Sequence, residues 1–217
     1  MRFMKEKGRK LSDAEKRRLT RFEATCAQLA EKGYSKNELT VGIVKANVIT
    51  LLIAIPVCVI LVFLFFFFND ADAFRSLHAS SLSSLLLYLA AFLALIVIHE
   101  LIHGLTWGIF AEDHFKSIEF GFMKEYLTPY CTCGVPLRKG QYILGALMPL
   151  IVLGLIPSII AIAAGSFPLL IIGMLMIIGA GGDIIITAKI LAYKKQSEDI
   201  LYIDHPTEAG GVVFEKK

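Results

Sequence analysis

The chain has 217 residues, a formal net charge of +3, an apolar content of 56% and a mean hydropathy of +0.65. A soluble globular domain needs no such apolar excess, whereas long apolar runs separated by compact charged segments are what lipid as solvent demands. A soluble enzyme or soluble binding module is thereby excluded, no nucleic-acid partner is expected, and the first partner is the lipid bilayer.

Residues 1 to 45 carry twelve Lys or Arg against six Asp or Glu, with too few consecutive apolar residues for a signal-peptide core. They read as a basic cytoplasmic segment. Within it, Leu11, Leu19, Phe22, Cys26 and Leu29 recur at helical spacing from Ser12 to Lys32, and Ser12 with Glu15 forms a capping pair. Such a helix can lie on an anionic leaflet or pack on the protein's own cytoplasmic face. Apolar spans are predicted over about Ala46 to Phe68, Leu82 to Phe110, Tyr142 to Ala164 and Leu169 to Tyr193, the last two joined by a turn at Gly165 to Pro168. The second exceeds the ~20 residues needed to cross and must tilt or project.

Lys and Arg number twelve before the first span, one (Arg75) in the first loop, four in the second, none in the third and four in the tail. The positive-inside rule places both termini in the cytoplasm. The expected fold is an all-α polytopic membrane protein of about four transmembrane helices in the cell membrane. It divides into the basic segment 1–45, a membrane domain 46–193 and a cytoplasmic tail 194–217. Between the second and third helices, Ser117 to Phe122 and Tyr126 to Tyr130 read as two short strands of a cytoplasmic hairpin. Cys26, Cys58, Cys131 and Cys133 fall where no disulfide framework is expected and read as free thiols.

The chemistry lies in the second span, in His99-Glu100-Leu101-Ile102-His103, which fits H-E-x-x-H. Residues four apart on a helix share a face, so His99 and His103 can offer two imidazole nitrogens to one zinc ion. Glu100 then lies beside the metal, placed to act as general base and acid. A carboxylate at bilayer depth costs roughly 2.5 to 3.5 kcal/mol on insertion scales, so it requires a compensating partner. The competing reading is that these side chains snorkel or hydrogen-bond to neighbouring helices near the interface.

A catalytic zinc site usually takes a third protein ligand. Asp183 is preferred, as the acidic residue of the last span, following Gly179, Ala180, Gly181 and Gly182. His99 lies seventeen residues from Leu82 and Asp183 fifteen from Pro168, so at ~1.5 Å per residue two parallel spans bring them to similar depth. Those small residues, with Gly104, would let helices approach closely. Glu125 ranks second as third ligand, and Glu119 is a further alternative. Asp113 and His114 also follow the motif, while His78 and His205 read as solvated loop residues.

These motifs resemble the small bacterial membrane proteins grouped as "putative zincin peptidases", and the core from about residue 82 to 193 resembles the site-2 protease class of intramembrane metalloproteases. The resemblance implies a zinc cofactor held by His99, His103 and Asp183, Glu100 as the catalytic residue, and hydrolysis of peptide bonds in membrane-associated peptide or protein substrates. It also implies that a strand near the site holds an extended substrate, which gives Phe120, Phe122, Tyr126 and Tyr130 as candidate substrate contacts; a purely structural loop is the alternative. The chain departs from the site-2 pattern in carrying Gly181-Gly182 before its Asp. Two other function classes remain: a catalytically inactive zinc-binding scaffold or metal carrier, and a permease subunit or immunity factor.

Overall fold

The computed structural model describes residues 12–70, 82–123 and 128–217. Arg75, His78, Glu125 and Tyr126 lie outside them. Helix α1 (Asp13–Glu31) is followed by strand β1 (Tyr34–Thr40), then the membrane-length helices α2 (Ile43–Phe68) and α3 (Leu82–Phe110). A 3-10 turn, His114–Ser117, leads into the hairpin β2 (Ile118–Met123) and β3 (Thr128–Cys133), and the two-residue strand β4 (Leu137–Arg138) precedes α4 (Lys139–Pro149). A π-helical segment, Leu150–Leu155, joins α4 to α5 (Ile156–Ala164); α6 (Phe167–Gly179), α7 (Gly181–Ala192), β5 (Ile200–Asp204) and β6 (Gly210–Lys216) complete the chain.

Three helical stretches, Ile43–Phe68, Leu82–Phe110 and Lys139–Ala164, are long and apolar enough to cross a membrane; α6 and α7 form a fourth crossing if the pair counts as one span. The outward faces of α2 and α3 are lined with exposed Leu, Ile, Val and Phe, which suits a lipid environment. The fourth span departs from the single helix expected over Leu169 to Tyr193: it bends by 47° at Ala180, which separates α6 from α7. The third span is also irregular. Pro149 cannot donate to the helical ladder, and the chain widens into the π segment immediately after it.

One end of the helical layer carries a four-stranded sheet, order β1-β6-β5-β4, absent from the all-α expectation. Pairing is antiparallel throughout, with Tyr34 opposite Lys216, Leu201 opposite Phe214 and Leu137 opposite Tyr202. Since β1 leads into α2, β4 into α4, and α7 into β5, the sheet gathers these helix ends on one side.

Helix α1 closes the outer face of the sheet. Its capping box is formed, with Ser12 N–H on Glu15 Oε2 at 2.8 Å and Glu15 N–H on Ser12 Oγ at 3.3 Å. Phe22 and Leu29 pack against Ile203, Val212 and Phe214, so the apolar stripe of α1 is covered by the protein's own sheet. The inner face, through Tyr202 and Val213, joins a core with Trp107, Cys133, Leu137, Tyr142, Ala146 and Ile190. At the opposite end of the helices, Phe65, Ala161, Phe167 and Leu170 form a separate cluster. There Asn69 Nδ2–H reaches Ile162 O at 2.9 Å, and Gly165 supplies the left-handed cap of α5 with φ +63°.

Candidate metal centre

The helical spacing of His99 and His103 places them one turn apart on α3, with ring centroids 4.9 Å apart. Asp183, in the first turn of α7 just past the bend, faces them. His99 Nε2 lies 3.3 Å from Asp183 Oδ2, and His103 Nε2 lies 3.4 Å from Asp183 Oδ1. One donor atom from each of the three can be chosen so that all lie within 4.8 Å of one another. Side-chain exposures are 10%, 5% and 20% for His99, His103 and Asp183, so the donors sit in a shielded place.

Two interpretations of those distances compete, and magnitude separates them. Charge-assisted N–H···O⁻ hydrogen bonds run at about 2.7–2.9 Å. Donors bound at about 2.0–2.2 Å around a tetrahedral zinc stand about 3.4 Å apart along an edge of the tetrahedron. The observed 3.3 and 3.4 Å, which run to different oxygens of Asp183, are longer than such hydrogen bonds and near the second value, and one donor atom from each residue brings the set within 4.8 Å. Two imidazoles and one carboxylate are also a donor set that zinc accepts with a position left open. The residues therefore fit a metal ion of this kind.

His103 is oriented from behind. Its Nδ1 is 2.8 Å from Gly145 O on α4; a carbonyl can only accept, so Nδ1 carries the proton and Nε2 keeps its lone pair for a metal. The Trp107 indole, one turn further along α3, stacks on the imidazole at 5.0 Å and 13° and donates its Nε1–H to Tyr142 O at 3.1 Å. Gly145 allows this approach: a Cβ there would stand 2.0 Å from Trp107 Nε1.

Glu100 lies on the neighbouring flank of α3, where its carboxylate faces the backbone N–H of Cys131 in β3. The hairpin is held there because Gly104 leaves room for Phe120, whose Cζ would be 2.5 Å from a Cβ at that position. Gly104 thus receives the hairpin, whereas a helix–helix contact was expected of it. Gly181 serves a helix contact, against Thr50 of α2.

The remaining sequence-level candidates separate clearly. Phe120 and Phe122, each 53% exposed, alternate on the hairpin face toward α3. Tyr130 stands opposite Gly121 on the other face, beneath the Arg18 guanidinium at 4.4 Å. Glu119 points the same way and pairs with Arg21 at 3.1 Å, turned from the histidines. Asp113 and His114 are exposed beyond the end of α3. His205 accepts N–H groups from Thr207 and Glu208 on Nδ1, which organises the β5–β6 turn, and burial lowers its pKa. Cys131 and Cys133 are free thiols. Burial pushes both up, Cys133 to about 12, so neither offers the thiolate that metal binding needs.

Sequence reasoning missed Trp107, Tyr142 and Asp204, whereas Gly145 is singled out by sequence, with Pro149, as a residue that bends or tightens the third span beside the zinc or packs there. Of the three missed, Trp107 alone left a signal, since it lies four residues after His103 on the same helical face.

The fold and the cluster together define a class: a multi-pass membrane protein with a buried His/His/Asp group able to chelate a metal ion. Residues 92–197, just under half of the chain, match the sequence profile of the family described as "Putative zincin peptidase". The matched stretch contains all three cluster residues and Glu100, so the chain is similar to zincin-type metallopeptidases at that general level. No curated protein and no solved structure matches the chain.

Proposed function

We propose that the chain is an intramembrane zinc metallopeptidase that hydrolyses peptide bonds of membrane-associated peptides or proteins. The observation that carries this reading is the pair of His–Asp separations, 3.3 and 3.4 Å, between a helix bearing H-E-x-x-H and a helix bearing a lone Asp. His99, His103 and Asp183 would hold the ion. Zinc bound there supplies a Lewis acid that polarises the scissile carbonyl and acidifies a water molecule. Glu100 takes the proton of the attacking water and passes it to the departing amine as the C–N bond breaks. The Cys131 N–H of β3 faces this carboxylate and would help orient it. Gly145 O holds the His103 tautomer that leaves Nε2 as a donor.

The hairpin face bearing Phe120 and Phe122 offers apolar contact to a substrate beside α3, whereas Tyr130 lies on the other face, under Arg18, and Tyr126 is outside the described residues. A substrate helix must be extended before its amide is exposed, and a strand edge suits that state. The excess of Lys and Arg in the segment before α2 supports a cytoplasmic position for the sheet-bearing side. Residues 46–193 then constitute the membrane peptidase domain, flanked by the cytoplasmic segments 1–45 and 194–217.

The test is zinc content by mass spectrometry of detergent-purified protein, with variants. About one zinc per chain is expected in wild type and Glu100→Gln, and none in His99→Ala, His103→Ala or Asp183→Ala. A wild type without zinc overturns the reading. Zinc retained in full by Asp183→Ala moves the third ligand to the loop, where Glu125 is the next variant. Zinc bound as expected, with no hydrolysis of any membrane-anchored peptide, favours the zinc-binding scaffold.

A further inference from the structure

The candidate metal cluster is tied to the C-terminal sheet by one half-buried carboxylate. Asp204, the last residue of β5, lies beyond the stretch that matches the zincin family. Its Oδ2 accepts the Cys133 N–H at 2.7 Å, and its Oδ1 accepts the Tyr142 hydroxyl at 2.5 Å. Each oxygen therefore serves a different element, β3 or α4.

Both elements touch the site within a few residues of these contacts. On β3, the Gly134 N–H turns inward to Ser117 O, so by the alternation of a strand the N–H groups of Cys133 and Cys131 share the outer edge. The Cys131 N–H is the one that faces Glu100. On α4, Tyr142 is gripped at both ends, its hydroxyl by Asp204 and its carbonyl by Trp107. One helical turn later comes Gly145, whose carbonyl holds His103. The path from Asp204 to His103 through Gly145 thus has two hydrogen bonds joined by one covalent segment, Tyr142 to Gly145.

We propose that Asp204 is a positioning residue of the metal site, acting on His103 through Tyr142 and Gly145 while its bond to Cys133 holds β3 in register beside Glu100. The inference rests on the metallopeptidase reading. It makes the C-terminal strand pair, outside the family match, a part of the site's supporting shell. Glu215 supplies the contrast within the same sheet: it is buried on β6, and its oxygens go to Tyr193, Gln196 and Ser197, which belong to the segment joining α7 to β5.

The test uses the full chain in detergent and Zn²⁺ as the probe, with affinity measured by competition against a chromophoric chelator. Asp204→Ala is expected to weaken zinc binding at least tenfold, within the range for loss of an outer-shell partner. Asp204→Asn keeps an acceptor for Cys133 and a polar partner for Tyr142, and is expected to stay within twofold of wild type. Tyr142→Phe is expected to lose at least threefold, and adding it to Asp204→Ala to cost nothing further, because both break one path. Glu215→Ala should loosen the sheet while leaving zinc affinity within twofold of wild type. Should Asp204→Ala fail to fold, Tyr142→Phe against Glu215→Ala decides. The proposal is overturned if Asp204→Ala binds zinc as tightly as wild type, if Glu215→Ala weakens it equally, or if the two losses add in full. A wild type that binds no zinc overturns the metallopeptidase reading and this inference together; intact binding in Asp204→Ala overturns this inference alone.

Discussion

The two ends of the helical layer solve opposite problems. At the end distant from the sheet, Phe65, Ala161, Phe167 and Leu170 pack together, Phe65 and Phe66 stand 5.2 and 5.8 Å from the Phe167 ring, and the Asn69 side-chain amide closes the corner. At the sheet end, two histidines, an indole and three carboxylates are buried or largely shielded, and each is met by a backbone or side-chain partner. Polar groups in an apolar medium cost several kcal/mol each unless satisfied. The sheet and hairpin supply those partners, which is why polar chemistry can concentrate at that end of the membrane helices.

The largest expected effect comes from removing a donor of the cluster. Asp183→Ala leaves two imidazoles with no third protein donor, and zinc is expected to be absent after purification, with mass spectrometry as the readout. Next, Glu100→Gln keeps the cluster and is expected to retain one zinc per chain while hydrolysis of a membrane-anchored peptide falls by roughly 10²- to 10⁴-fold. That contrast separates holding the metal from using it. The matching substitution at the apolar end, Phe65→Ala, opens a cavity and is expected to lower thermal stability while zinc stoichiometry stays unchanged.

A pH profile probes the sheet end more finely. Burial raises the Asp204 carboxyl from 3.8 to about 6, although its hydrogen bonds from Tyr142 and Cys133 pull the other way. The folded state therefore binds that proton more tightly than the unfolded chain does. Its contribution favours folding most below about pH 4, declines as pH rises from about 4 to 6, and levels off above, a loss of about 3 kcal/mol. Asp204→Asn is expected to flatten the unfolding midpoint over that interval relative to wild type. An unchanged slope would mean that the carboxyl titrates normally. Gly145→Ala acts from the helical side: its Cβ must displace Trp107 or α4, and a roughly tenfold loss of zinc affinity is expected.

The spans and the H-E-x-x-H turn were legible because both are local patterns: apolar runs of membrane length, and two histidines at helical spacing. Asp183 was legible as a lone acid at matching depth. The four-stranded sheet was not. Strand β1 reads Tyr-Ser-Lys-Asn-Glu-Leu-Thr, with residues depleted in strands, and its partner β6 begins at Gly210. Pairing over such a separation leaves no trace in a window of a dozen residues. The bend at Ala180 lay hidden for a different reason, since Gly179 to Gly182 serves close packing or helix interruption equally well and the contact with Thr50 is set by α2. Gly145 and Tyr142 had no polar signature, because the groups that serve His103 and Trp107 are their backbone carbonyls.

The smallest effect expected is at Glu119, and its smallness is informative. A Glu in the loop after H-E-x-x-H is the alternative third ligand that sequence leaves open, and as a ligand its removal would empty the site. In the structure its carboxylate pairs with Arg21 of α1 at 3.1 Å, on the hairpin face turned from the histidines, with both side chains more than a third exposed. An exposed pair of this kind contributes about 0.2–1 kcal/mol after solvent screening. Glu119→Gln is therefore expected to retain a full zinc equivalent, to shift the unfolding midpoint slightly, and to lose even that difference at high salt. Zinc loss in Glu119→Gln with retention in Asp183→Ala would reverse the assignment of the third ligand and would require the hairpin to turn its other face toward α3.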